Sequence, residues 1–187
     1  MQFVNAIHPG FGRAILAVIA ALVFCLVAQT AAAEIGRFVG HYVGSAEVIY
    51  SDGTTRPRDM SVTIEKTKKG FSVKWTTTTY KTRDRIKEAT YEINFVPTDR
   101  DGVFAAAMKR NVFGHETQLD PMHGEPYVWA RIDADTLTVF SLFVNDSGGY
   151  ELQQFDRTLA PGGLDLKFTR TANGKETRTT EVFLEKN

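Results

Sequence analysis

Residues 59–96, DMSVTIEKTKKGFSVKWTTTTYKTRDRIKEATYEINFV, decide the fold. Over 59–66, Met60, Val62 and Ile64 alternate with Ser61, Thr63 and Glu65. That period of two places apolar side chains on one face of a strand and leaves the other face wet. Lys69-Gly70 marks a turn. Over 71–80, Phe71, Val73 and Trp75 form one face, and the run Thr76 to Thr79 favours extended chain, because β-branching restricts the side chain in a helix. Over 86–96, Ala89, Tyr91, Ile93 and Phe95 make the next inward row. Short connections between successive strands make neighbours antiparallel.

The same rhythm runs outward in both directions. Upstream, 39–50 reads as a strand ended by Ser51-Asp52-Gly53. Downstream, Asp99 to Gly102 turns into 103–108. Strands follow at 127–133 and 136–144, divided by Asp133-Ala134-Asp135. Asn145 to Gly149 leads to 150–158, and Pro161-Gly162-Gly163 to 164–171. Asn173-Gly174, the strongest hairpin signal in the chain, leads to 176–185. A meander of this kind must close or stack to hide its edges. The expected fold is all-β: an antiparallel up-and-down barrel of about 8–10 strands, with a two-sheet sandwich as the alternative. Ala105 to Arg110 has helical propensity and allows a single helical turn. The strand 137–144 is apolar on both faces, which predicts cover on both sides, from the amino-terminal segment or from a partner.

Residues 1–33 stand apart. Arg13 closes a basic region, Ala14 to Ala28 is an apolar run shorter than the roughly 20 residues a membrane span needs, and Ala31 to Ala33 supply a small-residue cleavage pattern. The expectation is a signal peptide cleaved near Ala33, a single domain over 34–187, a periplasmic or secreted location, and no stable membrane anchor after cleavage. The only cysteine, Cys25, lies within 1–33. The remaining domain is therefore expected to hold together by its core alone. Lysine and arginine number 22, as do aspartate and glutamate. No basic excess points to nucleic acid as a partner.

Phe38-Val39-Gly40-His41-Tyr42-Val43-Gly44 resembles the first-strand pattern of the calycin superfamily, which includes the lipocalins, fatty-acid-binding proteins and nitrobindin-like barrels. In that pattern Gly-x-Trp opens the first strand, the aromatic ring plugs one end of the barrel, and a late arginine packs over it. Gly40-His41-Tyr42 is the match, with Tyr42 in place of tryptophan and Arg170 or Arg178 as the covering arginine. The resemblance implies a ligand-holding barrel of eight or ten strands. Ser51 to Arg58 is too short for a lipocalin lid or for the paired helices of fatty-acid-binding proteins. Nitrobindin-like barrels bind haem through a late histidine, whereas the last histidine here is His123. No cofactor and no metal are expected.

The one long connection, 109–126, carries His115, Glu116, Asp120, His123 and Glu125 among Val112, Phe113, Leu119 and Met122. Connections of this length are often lids or binding loops. It reads as a lid over the barrel mouth, as a structural loop pinned by Phe113 and Leu119, or as an acid/base or metal site. The spacing of His115 and His123 matches no compact zinc motif. The pairs Asp99/Asp101 and Asp133/Asp135 flank turns, where aspartate is favoured.

Alternation nominates Tyr42, Trp75, Tyr91, Phe95, Trp129, Phe140, Tyr150, Leu166 and Phe168 as barrel-lining residues. Arg131, Gln153 and Gln154 are the polar candidates for a ligand's head group. The expected function is binding of a small hydrophobic or amphipathic molecule inside the barrel, gated by 109–126. Two alternatives remain. One is a non-catalytic envelope or interaction protein. The other is a lyase- or isomerase-type enzyme using His115, Glu116, Asp120 and His123.

Overall fold

The computed structural model describes residues 34–49, 55–82, 85–107, 109–110, 116–117 and 119–187. The segment read as a signal peptide, the turn at Ser51-Asp52-Gly53, and His115 lie outside them. Ten strands form a closed barrel: β1 (Gly40–Ile49), β2 (Thr55–Lys66), β3 (Phe71–Thr82), β4 (Arg85–Pro97), β5 (Val103–Ala106), β8 (Tyr127–Asp133), β9 (Thr136–Val144), β10 (Tyr150–Ala160), β11 (Gly163–Ala172) and β12 (Lys175–Lys186). Two short strands, β6 (Lys109–Arg110) and β7 (Glu116–Thr117), pair with each other outside the barrel. Each barrel strand pairs antiparallel with the next along the chain, and β1 closes on β12 through Tyr42↔Lys186 and Val43↔Glu185. This is the up-and-down barrel and not the sandwich. The helical turn allowed at Ala105 to Arg110 does not form: Ala105 and Ala106 belong to β5, and Lys109 and Arg110 to β6.

The two ends of the barrel differ. The turns at 67–70, 98–102, 134–135 and 161–162 gather at one end, and that end is solid. Ile64, Phe71, Val73, Phe95, Phe104, Leu137, Leu164 and Leu184 fill it without solvent contact or nearly so. A helical turn at 34–36 and the residues after it add Ile35 and Phe38 to the same core. Arg37 latches this segment to Asp135 and to the Ala134 carbonyl. The Tyr42 hydroxyl donates to the Phe38 carbonyl at 2.8 Å, and burial raises the phenol's pKa. The cation over the Tyr42 ring is Lys186, with Nζ 5.7 Å from the ring centre and bonded to the Val39 carbonyl at 3.0 Å. Lys186 therefore takes the covering place that the calycin resemblance assigned to Arg170 or Arg178.

Two turns confirm local chemistry. Asn173 and Gly174 both have positive φ, 49° and 78°, as a type I′ hairpin requires. At Gly70 the constraint is space: a Cβ there would lie 2.0 Å from the Phe95 carbonyl oxygen. Gly70→Ala is expected to force β3 and β4 apart where Phe71 pairs with Phe95. The expected cost is about 1–3 kcal/mol, read as a lower urea midpoint. A midpoint equal to that of the unaltered protein would refute the close approach.

Candidate functional site

Above the solid end the barrel interior is open. A cavity of about 590 Å³ occupies it, within the usual size range of small-molecule sites. Its walls alternate out of the strands as the pleat demands: Met60 and Val62 from β2, Trp75 and Thr77 from β3, Tyr91 and Ile93 from β4, Phe155 and Arg157 from β10, Leu166 and Phe168 from β11. Trp75 stacks on Tyr91 (ring centres 5.4 Å apart, 25° between planes). Trp75 also meets Phe155 from the far side of the barrel at 5.6 Å, and Phe155 meets Phe168 at 4.9 Å. These four rings form an aromatic row across the lumen. Tyr91, at its end, is 56% exposed although it faces inward. Residues 85–93 of β4 pair with β3 alone among the described strands, so no described strand covers the outer edge of β4 beside Tyr91.

Arg157 sits one layer nearer the solid end than Phe155, in register with Leu137 and Leu166. It is 1% exposed. Its guanidinium lies 5.5 Å from the Phe155 ring centre and 5.8 Å from that of Trp75. Nη1 makes a long contact of 3.5 Å with the Phe155 carbonyl, and Nε has no hydrogen-bond partner among the described residues. Burial lowers the pKa of this arginine to about 10, against a smaller opposing pull from Asp156. Asp156 itself points outward, where it accepts from Thr138 at 2.7 Å and from the Gln154 amide.

The remaining charge on the cavity wall is also positive. Arg58, Lys87 and Arg178 line it, and no described lining residue carries a carboxylate. At the rim Glu151 binds Arg170 and accepts from the Gln153 amide at 2.7 Å. Burial pushes the Glu151 carboxyl up, but these bonds outweigh it and hold the pKa low.

The residues nominated from the sequence divide into groups. Trp75, Tyr91, Gln153, Leu166 and Phe168 come together around the cavity. Phe95 and Tyr42 face inward but are sealed in the solid end. Trp129, Arg131 and Phe140 turn to the outer surface, and so does Tyr150. In β8 the inward row is Val128, Ala130 and Ile132, and in β9 it is Leu137, Val139 and Ser141. Trp129 stacks on Phe140 outside the barrel at 4.7 Å and meets Tyr127 at 5.8 Å, while Arg131 bonds Asp133. Among the described residues, the outer face of 137–144 is therefore covered by its own neighbours and by the short 3₁₀ turn Pro121–His123. Gln154 likewise points outward.

Of the four loop residues, His115 lies outside the described residues and Glu116 is placed only as part of β7. Asp120 caps the 3₁₀ turn, accepting from the Met122 amide at 2.9 Å, and pairs with His123 at 3.1 Å. The His123 side chain is 81% exposed. A capping aspartate with an exposed histidine three residues on is ordinary turn chemistry. Pro126, at the end of the same connection, reaches the cavity wall. Among the described residues no three histidine, cysteine or carboxylate side chains group as metal ligands.

Sequence reasoning missed Arg157. The available signal was a charge between two apolar residues in the inward row Phe155, Arg157, Leu159.

No protein-family model matches the chain, and no curated protein does. Among solved structures it is similar to the S-type phycobiliprotein lyase CPES from Guillardia theta, at 8% sequence identity and a TM-score of 0.30, over 82% of this chain and 90% of that one. A likeness at that level says nothing of chemistry, and the barrel assignment rests on the strand pairing itself.

Proposed function

We propose that this protein binds a small apolar or amphipathic molecule inside its barrel, after export through residues 1–33 to the periplasm or cell exterior. The observation that carries the reading is the cavity of about 590 Å³ walled by Trp75, Tyr91, Phe155 and Phe168. Binding sites of this kind combine an apolar wall with a few placed polar groups. Here Gln153, Thr77, Thr180 and the arginines supply them. The edge of β4 beside Tyr91, left unpaired among the described strands, offers a way in, with the end of the 109–126 connection beside the cavity at Pro126.

The test uses N-phenyl-1-naphthylamine, an uncharged apolar dye that fluoresces when shielded from water. Saturable binding is expected, weakened about tenfold or more in Trp75→Ala, since tenfold is 1.4 kcal/mol and the lost stacking surface is of that order. Native mass spectrometry of protein secreted by its host should show Glu34 as the first residue. Absence of saturable dye binding would sink the binding reading, and a retained Met1 would sink the export reading.

An interaction protein is the second reading. The outward aromatics Tyr127, Trp129 and Phe140 favour it, because they present apolar surface on one side of the barrel.

A further inference from the structure

We propose that the molecule held in the cavity is an amphipathic anion whose charged head pairs with Arg157 while its apolar body lies along Trp75, Phe155 and Phe168. The proposal rests on the binding reading above and gives the ligand its chemical class.

Three observations carry it. Arg157 is buried in the cavity wall with its Nε unsatisfied and no carboxylate from the described wall facing it. A buried guanidinium is costly without a counter-charge, and its planar fork of donors suits a carboxylate or a phosphate. The rest of the wall is apolar or aromatic, with neutral hydroxyl and amide groups between. That lining penalises a bare inorganic anion, which would lose its hydration, and accepts one carried on an apolar tail. The aromatic row lies directly over Arg157, so a tail lying along it would bring its head to the guanidinium.

The experiment displaces N-phenyl-1-naphthylamine from delipidated protein with dodecanoate, monododecyl phosphate and dodecanol, in the unaltered protein and in Arg157→Met and Arg157→Lys. The readout is the ratio of anion to alcohol affinity within each protein, so a change in dye affinity cancels. At least one anion should compete tenfold or more better than dodecanol in the unaltered protein. The preference should collapse in Arg157→Met and survive in part in Arg157→Lys. Whichever anion wins identifies the head group. Equal competition by alcohol and anions, or a preference that persists in Arg157→Met, overturns the proposal and leaves the binding reading standing. Failure of the dye to bind removes both. If Arg157→Met does not fold, the comparison of Arg157→Lys with the unaltered protein decides: an undiminished preference counts against the proposal.

Discussion

Phe71→Ala is expected to destabilise the protein by about 3–5 kcal/mol, the range for removing a fully buried phenylalanine. Phe71 is 0% exposed and stands at the centre of the solid end. Its ring stacks on Phe95 at 5.1 Å and takes the edge of Phe104 at 5.0 Å. The void cannot collapse easily. The preceding Gly70 already touches the Phe95 carbonyl, so β3 and β4 cannot move closer there, and Ile64 and Val73 are held by ladder pairing on their own strands. A domain of this size is stable by roughly 5–15 kcal/mol in total. The loss is therefore about a fifth of the margin or more, and the thermal midpoint should fall by roughly 6–20 °C at 2–4 °C per kcal/mol. Phe183→Ala removes the same side chain from the outer wall, where it is 45% exposed. It should change stability by about 0.5 kcal/mol or less. Urea unfolding of both variants checks the contrast. Comparable losses would mean that the two ends and faces of the barrel are not as unequal as the packing makes them.

The contrast also explains what the sequence made legible. The strand rhythm was plain because each turn carries its own chemistry, as at Lys69-Gly70 and Asn173-Gly174, and because Met60, Val62 and Ile64 alternate with polar residues on a wet outer face. There the inward row declares itself, and Trp75, Tyr91 and Phe168 follow from the same logic. In β8 and β9 both rows are apolar, so alternation gives two rows without saying which is inside. Alternation was read there with Trp129 and Phe140 inside. The interior at that height is already filled by Phe104, Leu137 and Val139, and only the smaller Val128, Ala130 and Ile132 fit. The larger rings pack on each other outside. Lys186 over Tyr42 and Arg157 below Phe155 were hidden for a related reason. A charged residue in an inward row reads as a break in the pattern until the closed barrel shows what it faces.

Arg157→Met is expected to stabilise the ligand-free protein at neutral pH, by roughly 1–4 kcal/mol. Most substitutions at a fully buried position do the opposite. The sign follows from charge and shape. Methionine is apolar and flexible enough to fill an irregular space between Trp75, Phe155 and Leu166, and it removes a guanidinium that nothing in the described wall neutralises. The pH dependence gives the check. The arginine's pKa keeps its ordinary high value in the unfolded chain and falls to about 10 in the folded one, lowered chiefly by burial and opposed by Asp156. Between those values the unfolded chain holds a proton that the folded protein has released, so this residue's contribution to stability rises with pH across that window. Below about pH 10 both states are charged, and the folded protein bears the full cost of burying the charge. Arg58, Lys87 and Arg178 share the cavity, but they are present in both proteins and cancel in the difference to first order. The advantage of Arg157→Met should therefore be largest at pH 7 and should shrink as pH rises through 10. Urea midpoints at pH 7 and pH 11 measure it. Adding dodecanoate at pH 7 should narrow the gap from the other side, because an anion that pairs with Arg157 stabilises the protein that has the arginine more than the one that lacks it. A variant less stable than the unaltered protein at pH 7 would show that the guanidinium already has a favourable partner. The charge in the cavity would then be a strut of the barrel and not a site waiting for an anion.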